Sequence, residues 1–145
     1  MFASANNSNV TLRQAGAYRQ VHASTGVASA TPHGLVAMLF DGLVGAIAEA
    51  RGAMRAGNVP AKLKAIGRAL GIVDEGLSAT LNLQDGGRLA ADLHDLYAYI
   101  ALRLTHANLH NDAAALDECQ TLLEPVRSAW AAIGPAVIAG TAGAQ

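Results

Sequence analysis

The sequence predicts an all-α protein: an antiparallel, up-down-up-down four-helix bundle with an N-terminal flexible arm. Three observations predict it. Hydrophobic residues make up 52% of the 145, yet aromatics only 4% and charged residues 14%. Alanine and leucine therefore carry the apolar content, a mixture that packed helices favour and strands do not. Apolar residues recur at three- and four-residue steps in four separate stretches, the period of a helix with one buried face. Short polar turns join the stretches, and short connections oblige neighbouring helices to run in opposite directions.

Residues 1–29 are rich in Asn, Ser, Thr, Ala and Gly, with Arg13 and Arg19 as their only charges. The scattered apolar points Phe2, Val10, Leu12, Tyr18, Val21 and Val27 bury too little surface to offset the entropy of ordering. The stretch reads as a flexible arm. Thr31-Pro32 then starts a helix, with Thr as the cap and Pro at the first position, where a missing N–H costs nothing. From there Leu35, Leu39, Leu43, Ile47, Ala50 and Met54 share one face to about residue 56. Gly57-Asn58 ends this helix, and Asn58 can cap the next.

In the second helix Val59, Leu63, Ile66, Leu70, Val73, Leu77 and Leu81 form a nearly heptad seam, the spacing that holds one stripe toward its neighbours. Asp85-Gly86-Gly87 breaks it. The third carries Leu89, Leu93, Leu96, Tyr97, Ile100, Leu104 and Ala107, and ends in a second capping turn at Asn111-Asp112. The fourth carries Leu116, Cys119, Leu122, Leu123, Val126, Trp130 and Ile133; Pro125 within it removes a backbone bond and predicts a kink. The bundle domain thus spans 30–134. Residues 135–145, small and without period, are expected to form a disordered tail.

Net charge is −1, from ten basic and eleven acidic residues spread along the chain. Without a basic stripe to neutralise phosphates, nucleic acid is not an expected partner. The longest apolar runs are interrupted by glycine and charge short of the ~20 residues of a membrane span, so no membrane insertion is expected. The first residues show neither the charged nor the apolar region of a signal peptide, and a cytoplasmic location follows as an expectation. Cys119, the single cysteine, reads as an inert buried thiol.

Catalytic and metal chemistry finds little purchase. The paired Glu-x-x-His motif of carboxylate-bridged metal bundles is missing, because Glu49, Glu75, Glu118 and Glu124 are followed three residues later by Gly52, Ser78, Thr121 and Arg127. His106 and His110 share a helix face at metal-ligand spacing. A metal-binding protein or enzyme built on that pair is the runner-up reading. Gly86-Gly87 lacks the flanking pattern of a phosphate loop. No cofactor is expected.

The first two helices hold Gly34, Gly42, Gly45, Gly52, Gly67, Gly71 and Gly76, each interior one costing ~1 kcal/mol against alanine. Either they permit close helix–helix contact, or they shape a shallow groove for a partner's backbone. Gly67 and Gly71 sit one step off the Ile66–Leu70 seam, which suits a groove edge.

Three stretches give the chain a family likeness. They are Ala17-Tyr18-x-x-Val21 in the arm; Ser29-Ala30-Thr31-Pro32-His33-Gly34-Leu35-Val36-Ala37-Met38-Leu39-Phe40-Asp41-Gly42; and Leu96-Tyr97-x-Tyr99 followed by Ala107-Asn108-x-x-Asn111-Asp112, closed by Ala129-Trp130. Over roughly residues 15–132 the chain resembles the FliS family of flagellar export chaperones. It departs from the family pattern at Thr31, where serine is usual, at Phe40, where tyrosine is usual, and at Ala98, where aspartate is usual.

The resemblance implies a cytoplasmic protein without catalytic residues. It would bind the disordered C-terminal segment of flagellin, one-to-one, prevent premature polymerisation and keep the client competent for flagellar type III secretion. The family likeness also brings the flagellar export gate and flagellar regulators into view as partners. It assigns Tyr18 and Val21 to a removable plug over the client groove, and puts Leu35, Met38 and Leu39 of the second stretch among the partner-binding residues. Tyr99, Asn108 and Asn111 are candidates for polar client contacts, with helix capping the competing role for Asn111. A chaperone or adaptor for a different secreted client is the other alternative.

Overall fold

The structure is a computed structural model that describes residues 31–81 and 86–144, with side chains described as far as Gly134. The arm, including Tyr18 and Val21, lies outside the described residues. Among the described residues there are four α-helices and no strand. Helix α1 is Pro32–Ala56, α2 is Val59–Gly71, α3 is Gly87–His110 and α4 is Ala113–Ala144. A π-helical turn, Ile72–Leu77, and a 3₁₀ turn, Ser78–Thr80, prolong α2.

The capping residues set the boundaries. Thr31 Oγ1 accepts from the Gly34 N–H at 3.0 Å, with Pro32 in the first turn, satisfying an amide the helix leaves unpaired. Gly57 ends α1 at φ 66°, a left-handed conformation natural to glycine. Asn58 Oδ1 then accepts from the Ala61 N–H at 3.1 Å to start α2. Asn111 closes α3 at φ 52°, and Asp112 Oδ1 accepts from Ala114 and Ala115 to open α4.

Side-chain pairs give the directions. Asp41 meets Arg127 at 2.8 Å and Arg51 meets Asp117 at 2.8 Å, so α4 is followed backward as α1 is followed forward. Glu49 meets Arg68 at 3.1 Å, and Leu39 lies over Gly76; α1 and α2 oppose each other likewise. Between α3 and α4, Glu118 accepts from the Tyr99 hydroxyl and the Arg103 Nε, each at 2.6 Å.

The core is leucine, isoleucine and alanine with two aromatics. Leu43, Ile47, Ile66, Val73, Leu77, Ile100, Leu104, Leu116 and Leu123 are fully buried, and Phe40 packs tilted against Tyr97. Burial pushes the Tyr97 hydroxyl up to about 12 and the Cys119 thiol up to about 11. Cys119 is thus buried, as the sequence predicts, and disinclined to form a thiolate. By length and composition α1 would suit a membrane span, but Phe40, Leu43, Ala46, Ile47 and Ala50 lie inside the bundle.

Four local expectations change. The seam of α2 does not hold at its start: Val59 and Leu63 are exposed, and Lys62 is buried in their place. The Lys62 Nζ donates to the Asn108 carbonyl at 3.1 Å and lies 3.4 Å from Asn111 Oδ1, and a cation at the C-terminal end of α3 is favourable there. Leu89, placed in the core by its spacing, is 69% exposed in the first turn of α3. Pro125 leaves helical dihedrals intact, and the break in α4 falls at Gly134 (φ 71°, ψ 166°). Pro125 faces solvent, where water can satisfy the carbonyl its ring deprives of a donor. Beyond Gly134 the backbone is helical again to Ala144, where a disordered tail was the expectation; alanine in that stretch favours helix.

Two kinds of glycine can now be told apart. A Cβ on Gly76 would lie 2.9 Å from Leu39 Cδ2, and one on Gly42 3.3 Å from Ile72 Cδ1, so these two permit close packing of α1 on α2. On Gly67 or Gly71 it would meet nothing within 4 Å. Gly67→Ala is therefore expected to raise stability by up to ~1 kcal/mol, whereas Gly76→Ala lowers it. Urea unfolding of the two variants checks the contrast in sign.

Candidate functional site

The buried residues of α3 are Ala90, Tyr97, Ile100, Leu104 and Ala107. Leu102 and Leu109 lie off that stripe, two turns apart on the outward face, and are 64% and 74% exposed. On α2, Leu63, Gly67 and Gly71 follow at four-residue steps along one face, with Leu63 49% exposed. The Lys62–Asn108 bond joins the start of α2 to the end of α3, so Leu63 and Leu109, next to these residues in sequence, flank that junction. A single exposed leucine needs no explanation. The three exposed leucines on α2 and α3, with open space at Gly67 and Gly71, are the candidate apolar strip for a protein contact.

A second apolar feature lies at the other end of the bundle. A pocket of about 210 Å³ is lined by Val36, Phe40, Leu89, Leu93, Val126 and Trp130 among others. It opens close to the start of α1, where the arm joins the bundle.

The candidate residues fall into separate groups. Leu35, Met38 and Leu39 are half-buried on α1, and Leu39 is committed to packing over Gly76. They are not brought to the α2–α3 strip, since α1 packs on the side of α2 that carries Ile72 and Gly76. Gly67 and Gly71 border the strip. Tyr99 is 40% exposed, but its hydroxyl is engaged with Glu118. Asn108 offers its carbonyl to Lys62, and Asn111 takes the capping role that was its alternative.

His106 Nε2 lies 3.2 Å from Asp112 Oδ2, and its ring centroid is 4.5 Å from that of His110. Among the described residues no three His, Cys, Asp or Glu side chains are grouped to hold a metal ion, so the metal-site alternative gains no geometric support. Spacing did not single out the exposed Leu102 and Leu109. Their signal was available: they belong to no step of the α3 core series.

The hydrogen bonds from Tyr99 and then Arg103 hold the Glu118 carboxyl below its ordinary 4.5. What Glu118 contributes to stability is therefore present above that value and lost as pH falls through the lowered one. Glu118→Gln is expected to flatten the acid limb of the stability profile, measured by urea unfolding at successive pH values.

The described residues define an all-helical protein of the bundle class with exposed apolar side chains on α2 and α3. The family model for flagellar protein FliS matches residues 14–137. The chain is 44% identical over 119 residues to the flagellar secretion chaperone FliS of Salmonella typhimurium, covering 82% of this chain and 88% of that one. It is 42% identical over 113 residues to the flagellar secretion chaperone FliSB of Pseudomonas aeruginosa (78% and 89%) and 32% over 114 residues to the flagellar secretion chaperone FliS of Bacillus subtilis (79% and 80%). The chain belongs to the FliS family of flagellar secretion chaperones, a non-enzymatic role.

Proposed function

We propose that this chain is a cytoplasmic chaperone that holds the disordered C-terminal segment of flagellin, one-to-one, and prevents it from polymerising before type III export. The observation that carries the reading is the apolar strip of Leu63, Leu102 and Leu109 on a chain of this family. A disordered client loses conformational entropy on binding and must recover it over a long contact. Exposed leucines on adjoining helices supply such a contact, each leucine-sized side chain contributing ~1.5–3 kcal/mol before the ordering cost. The open backbone at Gly67 and Gly71 lets the client chain approach closely.

The arm completes the proposal as a removable plug. Tyr18 stands thirteen positions before the Thr31 cap, a reach of up to roughly 45 Å, ample for Tyr18 and Val21 to enter the pocket beside the start of α1. Tyrosine suits a reversible anchor, having a large apolar body, a polar tip and few rotatable bonds. Deleting residues 1–17 is expected to change flagellin affinity little, and Tyr18→Ala to change it measurably. Calorimetry that found the two variants alike would remove the special role of Tyr18.

Co-expression tests the function itself. Flagellin is expected to co-elute with the chaperone at one-to-one stoichiometry, and flagellin lacking its C-terminal segment to elute alone. Equal retention of the truncated flagellin would contradict the assignment.

A further inference from the structure

Lys62 is only 7% exposed, and a buried ammonium is costly unless a counter-charge meets it. Its Nζ has two partners, the Asn108 carbonyl at 3.1 Å and Asn111 Oδ1 at 3.4 Å, both uncharged. An ammonium carries three donors, so among the described residues one is left without an acceptor. The C-terminal end of α3 offers roughly half a unit of negative charge, short of a counter-ion.

The chain's own carboxylates do not supply one. Among the described residues no acidic side chain lies within ion-pair reach of Lys62. Asp112, beside Asn111 in sequence, lies 3.2 Å from His106 and caps α4. Glu49 on α1 is held by Arg68, and Asp117 on α4 by Arg51. Of the eleven acidic residues only Asp85 falls outside the described ones. It stands two residues before Gly87, where α3 begins, and Asn108 is about 30 Å further along that helix.

Beside Lys62 there is room for an anion from elsewhere. A pocket of about 260 Å³ is lined by Met54, Asn58, Val59, Lys62 and Asn111 among others, and Val59 is 54% exposed, so solvent reaches it. Asn58 and Val59 belong to the start of α2, where helix amides also favour negative charge. Leu63 and Leu109 follow Lys62 and Asn108 in sequence, so the pocket adjoins the apolar strip.

We propose that this pocket takes a carboxylate of the client, with the Lys62 ammonium as its partner. The inference rests on the reading of Leu63, Leu102 and Leu109 as the client strip and adds a polar register point to it. Apolar contacts along a strip tolerate sliding; one ion pair in a pocket fixes which part of the client lies there. An acidic side chain and the client's chain terminus present the same two acceptor oxygens, and the experiment separates these two sources.

The full chain is titrated calorimetrically with three versions of the flagellin C-terminal segment: unaltered, amidated at its terminus, and with its acidic side chains changed to the corresponding amides. The unaltered segment is expected to bind about tenfold or more tighter than one of the altered versions, the range of a hydrogen bond between charged groups, and the version that loses affinity names the source. Lys62→Met, which keeps the apolar stem and drops the charge, should bind all three alike at the weakened level. Lys62→Gln keeps a donor for the Asn108 carbonyl and takes its place if the methionine variant fails to fold. Equal affinity of the parent for all three versions would overturn the proposal and leave the strip standing. A preference that persists undiminished in the Lys62 variants overturns it too, that being the behaviour of a lysine whose role is structural only. If the parent binds no version, the client reading itself fails and this inference falls with it.

Discussion

Leu102→Asp combined with Leu109→Asp is expected to weaken flagellin binding by roughly 100-fold or more while the bundle stays folded. Two leucine side chains that go from 64% and 74% exposed to covered by a client would contribute about 3–6 kcal/mol between them, and 1.4 kcal/mol is tenfold in affinity. Aspartate also sets a charge against an apolar client surface, a further cost when it is desolvated. The fold should tolerate the change, because neither side chain belongs to the core series of α3 and surface substitutions usually stay within about 0.5 kcal/mol. Calorimetric titration with the flagellin C-terminal segment, alongside circular dichroism, reads both halves of the expectation. Unchanged affinity with unchanged helicity would remove the client from this strip.

Leu104→Ala, two residues away in the same helix, is expected to do the opposite. Leu104 is fully buried between Ile100 and Ala107 on the core face, and truncating a leucine there leaves a cavity costing about 2–5 kcal/mol. That is a large share of a net stability of order 5–15 kcal/mol. The melting temperature should fall by about 2–4 °C for each kcal/mol lost, and client binding should weaken only as far as unfolding depletes the native chain. The pair Leu102 and Leu104 thus separates the two faces of α3: one side chain holds the fold, the other is the proposed contact with the partner. A Leu104→Ala variant with undiminished urea resistance would contradict the packing described for α3.

Much of the fold could be read from residues alone. Thr31-Pro32, Gly57-Asn58 and Asn111-Asp112 each gave a boundary because capping is local chemistry, settled by a side chain two or three residues away. The middle of each apolar stripe was equally legible, since Leu43, Ile47, Ile66, Val73, Ile100 and Leu104 bury where their period puts them. What spacing cannot see is where a stripe runs out of neighbours. Leu63 and Leu89 keep the period yet are exposed near the starts of their helices, and Lys62 is drawn inward by the Asn108 carbonyl, remote in sequence. Likewise, glycine alone does not say whether a helix is approached closely: Gly76 and Gly67 read alike in the chain, and only packing against Leu39 distinguishes them.

The site was legible in part. Gly67 and Gly71 were placed on a groove edge by their offset from the seam, and the space a Cβ would take there is open. Leu35, Met38 and Leu39 were assigned through the family likeness; all three are half-buried on α1, with Leu39 packed over Gly76. Asn111 closes α3 with its left-handed backbone, while its side-chain oxygen faces the Lys62 ammonium, remote in sequence.

The most direct test of where the client docks is a leucine-methyl NMR spectrum of the full chain recorded with and without the flagellin C-terminal segment. The methyl signals of Leu63, Leu102 and Leu109 should move on binding, while those of Leu116 and Leu123, sealed in the core, stay where they are. Signals of the three exposed leucines that remain still in a saturated complex would contradict the account, whatever the affinity.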